Sequence, residues 1–71
     1  MKDLKISLEA ARVQAGYNKE KACKLLGISL PTLTAIEQGK RRIKPIELAG
    51  LCTLYGIDPR HLDTQRKPTH A

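Results

Sequence analysis

The sequence contains neither Trp nor Phe, and its only aromatic residues are Tyr17 and Tyr55. A hydrophobic core in this chain therefore has to consist of Leu, Ile, Val and Ala side chains. Acidic residues are also scarce, because 13 Lys and Arg stand against 7 Asp and Glu, which gives a net charge of +6. A positive excess steers phosphate-bearing partners toward a small chain and favours a nucleic acid as partner, although charge also serves solubility.

Cysteine is limited to Cys23 and Cys52, and neither has a Cys or His at metal-ligand spacing. Both lie among apolar neighbours, so we expect buried, reduced thiols, no disulfide, no metal and no cofactor. No apolar run approaches the roughly 20 residues of a membrane span, and no signal peptide follows Met1. We therefore expect a cytoplasmic protein without a membrane partner. The sequence also contains no nucleophile–base constellation, so we do not expect an enzyme.

A chain of 71 residues forms one small domain, which buries only about 60% of the surface of its unfolded form. The apolar residues recur at helical spacing, and no strand-like alternation is present. The sequence predicts an all-α fold, a compact bundle of five short helices in residues 1–63. We expect a flexible polar tail in residues 64–71, where Pro68 and charged residues replace apolar ones.

Helix-starting and helix-ending residues divide the chain. Ser7, Asn18 and Ser29 are predicted N-caps, and each of the three helices that they open is followed by a glycine. The second helix is expected to carry Ala22, Cys23, Leu25 and Leu26 on its apolar side. Pro45 is expected near the start of the fourth helix, which carries Leu48, Leu51, Cys52 and Tyr55. Asp58 and Pro59 are expected to open a fifth helix with Leu62 as its apolar anchor.

The second and third predicted helices are joined by a short turn and form a helix-turn-helix. Such a tight crossing requires a small residue where the helices touch, and Cys23 meets this requirement. It also requires a glycine that adopts positive φ, which is Gly27, followed by Ile28 and the cap Ser29. Leu33 and Ile36 supply the inward apolar pair of the third helix.

These residues resemble the phage-repressor and Cro-type (XRE-like) helix-turn-helix family. The resemblance extends from about Leu8 to Leu62 and includes "ARVQAGYNKEKACKLLGIS", "TLTAIEQGKR" and "LAGLCTLYGIDPRHL". It implies a lambda-repressor-like domain and a small DNA-binding transcription regulator from a phage or other mobile element. It also implies a homodimer that binds a pseudo-palindromic site in double-stranded DNA. The residues around Ile57 and Leu62 are the expected dimer seam.

The resemblance further assigns roles to individual residues. It implies a structural ion pair between Arg12 in the first helix and Glu37 at the end of the third, with neither residue contacting bases. It implies contact with base edges by the exposed face of the third helix, formed by Leu30, Pro31, Thr32, Thr34 and Ala35. It implies contact with phosphates by the start of the second helix and the loop after the third, through Asn18, Lys19, Gln38, Lys40, Arg41, Arg42 and Lys44.

The predicted base-facing set departs from the family because relatives often have Gln, Arg or Ser at its first two positions. No side chain in this set can make the bidentate contacts that distinguish guanine or adenine. Apolar contact with thymine methyl groups and hydroxyl contacts remain. We expect phosphates to contribute much of the affinity, with a log–log salt slope of roughly −4 to −6 if five to seven phosphates are neutralised.

The same apolar face supports a second hypothesis, in which the third helix binds another regulator protein and modulates repression. Exposed Leu30, Pro31 and Ala35 are ordinary residues for a protein contact. An antitoxin with this fold is a third possibility, for which the sequence offers no feature of its own.

Overall fold

A computed structural model describes residues 5–64 of the chain. These residues form four α-helices, one turn of 3₁₀ helix and two short strands. The helices are α1 (Leu8–Gln14), α2 (Lys19–Leu26), α3 (Leu30–Glu37) and α4 (Pro45–Tyr55). Strand β1 (Ile6–Ser7) pairs in parallel with β2 (Leu62–Asp63), so that Ile6 lies beside Leu62.

The three predicted side-chain caps are confirmed. Ser7 Oγ accepts from the Ala10 amide at 3.0 Å, and Asn18 Oδ1 accepts from the Lys21 amide at 2.7 Å. Ser29 Oγ accepts from the Thr32 amide at 3.3 Å. Each bond satisfies an amide that has no partner within its helix, which fixes the start of α1, α2 and α3.

The prediction of five helices is wrong, and so is the prediction that the fold is purely helical. Asp58 caps the expected fifth helix through the Arg60 amide, but the helix is only the 3₁₀ turn Pro59–His61. The chain then extends because the Leu62 side chain is buried, with 2% exposure, beside β1. Strands of two residues are too short to produce a visible alternation of apolar and polar residues, so this pair could not be predicted from the sequence.

The core lies between all four helices and β2. Leu33 is completely buried and Leu51 nearly so, at 0% and 2% exposure. Both cysteines are buried and reduced, as predicted. The expectation of a core made only of Leu, Ile, Val and Ala is therefore wrong, because Tyr55 and both cysteines belong to the core and Val13 is 60% exposed. The buried apolar side chains are Leu8, Ala11, Ala22, Cys23, Leu33, Ile36, Leu51, Cys52, Tyr55 and Leu62.

Two expectations about apolar residues need correction. Leu25, which was assigned to the apolar side of α2, is 51% exposed. Leu62 belongs to the core and therefore does not offer the dimer surface that was expected around it. Of the tail expected at residues 64–71, only Thr64 lies within the described residues. Among the helices of residues 5–64, none is long and apolar enough to cross a membrane.

Candidate nucleic-acid interface

The turn between α2 and α3 has the geometry that the sequence predicts. Gly27 ends α2 in the left-handed conformation, with φ 73° and ψ 31°. The amides of Gly27 and Ile28 both donate to the Cys23 carbonyl, at 2.8 and 3.1 Å. These bonds satisfy the Cys23 carbonyl, one of those left without a partner at the end of α2, and the chain reverses within three residues, which places α3 against α2.

A buried ion pair connects the end of α3 to α1. Arg12 Nε donates to Glu37 Oε2 at 2.8 Å, and Nη2 lies 3.5 Å from Oε1. Arg12 Nη1 also donates to the Tyr17 carbonyl at 2.8 Å, so one guanidinium joins α1, the loop before α2, and α3. The hydrogen bond to Glu37 raises the pKa of Arg12, although burial opposes it. Both residues are buried, so this pair orients α3 rather than contacting a ligand.

Tyr55 of α4 lies within the electrostatic influence of Arg12 and Glu37. Its ring packs on that of Tyr17 with 6.1 Å between the centroids. Its hydroxyl is buried and has no hydrogen-bond partner among residues 5–64. Burial, and next the negative charge of Glu37, raise the pKa of Tyr55 to about 12. The phenol is therefore neutral wherever the domain is folded near neutral pH.

The outward side of α3 forms one open surface. Leu33, Ile36 and Glu37 point into the core, and this orientation leaves the opposite side of the helix exposed. The exposed side is a shallow depression that continues past the end of α3 into the following loop. It is lined by Leu30, Pro31, Thr34, Ala35, Gln38 and Lys40. Four predicted base-facing residues and two predicted phosphate-contacting residues thus share one surface.

Thr32 is the predicted base-facing residue that does not line this depression. Its hydroxyl lies 2.8 Å from Ser29 Oγ, so it takes part in capping α3. Thr34, by contrast, lines the surface, and Lys19 Nζ approaches its hydroxyl at 3.5 Å. The start of α2 therefore borders the exposed face of α3.

The loop after α3 carries most of the remaining charge near this face. We call residues 40–44 the basic loop; Lys40, Arg42 and Lys44 are all exposed in it. Asn18 is exposed at the start of α2, and its carbonyl oxygen is used for capping. Its amide nitrogen can still donate to an anion, so capping and phosphate contact are compatible at this residue.

Arg41 differs from the other cations of the basic loop because it is paired within the chain. Its Nη1 and Nη2 donate to Oε1 and Oε2 of Glu47, both at 2.9 Å. Glu47 Oε1 also accepts from the Lys44 amide at 2.9 Å. These bonds lower the pKa of Glu47 to about 2. Sequence reasoning missed Glu47, although an acid at the third position of a helix is a known partner for the residue that precedes the helix.

A comparison with models of protein families identifies the family of this chain. The model of a family described as "Helix-turn-helix domain" matches residues 6–65, which is most of the chain. The chain belongs to the helix-turn-helix domain family. This membership agrees with the XRE-like resemblance of the sequence. Searches of curated proteins and of solved structures gave no significant match.

Membership of the helix-turn-helix domain family indicates a DNA-binding regulator. In this helix-turn-helix domain α2 and α3 are the two helices of the motif, and α3 stands in the position of the recognition helix. The individual base and phosphate contacts remain predictions. The structure gathers Leu30, Pro31, Thr34 and Ala35 on the recognition helix, directs Thr32 toward the cap, and pairs Arg41 internally.

Proposed function

We propose that the protein is a small, non-catalytic regulator of transcription that binds specific sequences in double-stranded DNA. In this proposal α3 enters the major groove, which is wide enough for an α-helix. The start of α2 and the basic loop contact the phosphates on either side. The sequence resemblance extends the proposal to a Cro-like protein or repressor headpiece of a phage or mobile element.

The observation that carries this proposal is the continuous surface from Leu30 to Lys40. It joins the exposed face of α3 to the first cation of the basic loop, and Lys19 borders it from α2. Phosphate contacts on both flanks of a helix in the major groove orient it relative to the base edges. Lys19 and Lys40 can supply such contacts from two separate elements.

The base contacts that we propose are mainly apolar. Leu30, Pro31 and Ala35 would contact thymine methyl groups, and the Thr34 hydroxyl would contact a donor or an acceptor on a base edge. Such a surface discriminates thymine from cytosine by a methyl group rather than by paired hydrogen bonds. The expected DNA site is therefore rich in thymine at the positions that α3 contacts.

A gel-shift and footprinting experiment on the DNA that flanks the coding sequence tests specific binding. Ala35→Glu should abolish the shift because it places a carboxylate against the base edges and phosphates. Val13→Glu is the matched control, since Val13 is 60% exposed on α1, away from the depression. It adds the same charge to the protein and should retain a footprint. Equal loss of binding in both variants would contradict the proposed surface.

Deoxyuridine substitution tests the proposed methyl contacts directly. Replacing the thymines of the footprint by deoxyuridine removes only their methyl groups and leaves the base-pairing edges unchanged. We expect weaker binding to the substituted site. Unchanged affinity would show that the apolar residues of α3 do not contact thymine methyl groups.

A second candidate function is binding of another regulator protein through the same face. The observation in its favour is Leu30, which is 43% exposed on a surface that has few hydrogen-bonding groups. Ala35→Glu would abolish the complex with DNA and the complex with a protein alike, but Arg42→Ala distinguishes the two functions. It should weaken binding to DNA, whereas it should leave an apolar protein contact nearly unchanged.

A further inference from the structure

Glu47 connects two parts of the basic loop to the first turn of α4. Through one carboxylate it accepts two hydrogen bonds from the Arg41 guanidinium and one from the Lys44 amide. The side chains are partly shielded, with 17% exposure for Glu47 and 33% for Arg41. Since Glu47 belongs to α4, its carboxylate connects residues 41 and 44 of the basic loop to that helix.

The neighbouring cations are in a different situation. Lys40 and Arg42 are exposed, and within residues 5–64 their side chains make no hydrogen bond or ion pair. Arg41 lies between them in sequence, and Glu47 holds its guanidinium against α4. Lys40 lines the depression on the exposed face of α3, and Arg42 is exposed in the same loop, so both neighbours of Arg41 are accessible to a phosphate.

We propose that Arg41 and Glu47 are positioning residues that hold the basic loop in the shape required for phosphate contact by Lys40 and Arg42. Arg41 itself is not a phosphate ligand. This inference rests on the proposed DNA-binding function. It revises the role that the sequence resemblance implied for Arg41.

Electrostatics favours keeping Arg41 in place when DNA binds. Moving the guanidinium to a phosphate would replace one bidentate pair by another of similar strength. It would also leave the Glu47 carboxylate without its cation beside a polyanion, where it repels the phosphates. The pair therefore both shapes the loop and neutralises an acid that would otherwise oppose DNA.

Glu47→Gln gives the sharpest test, because the two possible roles of Arg41 predict changes of opposite sign in the affinity for DNA. If Glu47 positions the loop, removing its charge weakens binding to a short duplex of mixed sequence by roughly threefold to fivefold, as expected for one ion pair near the surface. If Glu47 only restrains a phosphate-binding Arg41, its removal tightens binding. Glu20→Gln is the matched control; Glu20 is an exposed acid in the first turn of α2, and its removal should tighten binding slightly through charge alone.

The salt dependence of binding supplies a second, independent readout. Arg42→Ala should reduce the slope of log K against log salt by about 0.9, because one phosphate contact is lost. Arg41→Lys keeps the charge but cannot make the bidentate pair, so it should weaken binding without changing the slope. Affinity and slope equal to wild type for Arg41→Lys would overturn the positioning role, as would tighter binding by Glu47→Gln.

Circular dichroism and the urea midpoint of each variant establish that it is folded, and affinities are compared between folded variants. Arg41→Lys is a conservative change that retains the positive charge if Glu47→Gln proves too destabilising. A wild-type slope near zero would overturn the proposed function together with this inference. A steep wild-type slope with tighter binding by Glu47→Gln would overturn this inference alone.

Discussion

Removing one partner of the buried Arg12–Glu37 pair should destabilise the domain by about 3 kcal/mol. Arg12→Met deletes the guanidinium but keeps much of the side-chain volume. The Glu37 carboxylate would then stay in a site where only 4% of the residue is exposed. The Tyr17 carbonyl would also lose the bond that Arg12 Nη1 donates at 2.8 Å. Glu37→Leu leaves the buried Arg12 guanidinium without its carboxylate partner, and a similar loss of unfolding free energy is expected.

That loss is large for a domain of this size. Domains of about 70 residues have unfolding free energies of roughly 4 to 10 kcal/mol. With a urea m-value of about 1 kcal/mol/M, a loss of 3 kcal/mol lowers the urea midpoint by about 3 M. Combining Arg12→Met with Glu37→Leu leaves no unpaired charge, so the double variant should be more stable than the sum of the single effects implies, by about 2 kcal/mol.

Urea denaturation followed by far-ultraviolet circular dichroism measures all three variants. Two results together would contradict the expected role of this pair. In the first, each single variant loses less than about 1 kcal/mol of unfolding free energy, which is the value of an exposed pair. In the second, the loss in the double variant equals the sum of the two single losses. Such a result would mean that solvent reaches the pair and that it does not hold α3 against α1.

Three further predictions concern local chemistry. Gly27→Ala should destabilise the domain by about 1 kcal/mol, because its φ of 73° is unfavourable for a residue with a Cβ; the control Gly50→Ala, inside α4, should stabilise by up to about 1 kcal/mol in the same urea assay. Burial raises the pKa of Tyr55 to about 12, so the folding free energy should lose none of this contribution below pH 10 and should fall as the pH rises from 10 to 12. Tyr55→Phe should remove this part of the alkaline loss and should not destabilise the domain at neutral pH, because the hydroxyl makes no hydrogen bond within residues 5–64. An alkaline loss in Tyr55→Phe equal to that of the wild type would contradict this assignment. Burial also raises the pKa of the Cys23 and Cys52 thiols, so both should react with a thiol reagent only after urea is added; rapid reaction of the native protein would contradict their burial.

The features of the fold that could be predicted from the sequence are those that local chemistry determines. The caps at Ser7, Asn18 and Ser29 and the left-handed Gly27 follow from residue types whose conformational preferences are strong. The Arg12–Glu37 pair was implied by the family resemblance, and the structure contains it with a 2.8 Å contact. Apolar spacing alone would not have identified it, because two residues that are 25 positions apart carry no local signal.

The end of the fold could not be predicted in the same way. Asp58 and Pro59 indicate where a helix begins but not how far it extends. The chain leaves the 3₁₀ turn because Leu62 fits into the core beside Ile6, which depends on the packing of the whole domain. The exposed position of Leu25 likewise depends on which side of α2 the other helices cover.

The position of the candidate surface could be predicted from the sequence, but the hydrogen-bonding partner of each side chain could not. Leu30, Pro31, Thr34 and Ala35 lie together as expected, since helical periodicity places them on one side of α3. The phosphate contact of Arg41 stays a prediction. Its pairing with Glu47 could not be predicted, because in sequence an arginine paired within the chain looks the same as one that contacts a ligand.

The salt dependence of duplex binding by the wild-type protein tests the DNA-binding proposal most directly. Fluorescence anisotropy with a labelled duplex gives the association constant at several salt concentrations. With Arg41 paired, the charged phosphate contacts that remain are those of Lys19, Lys40, Arg42 and Lys44. They predict a log–log slope of about −3.6 for each bound chain. A slope near zero, or no measurable binding at low salt, would contradict the proposal that this face contacts DNA.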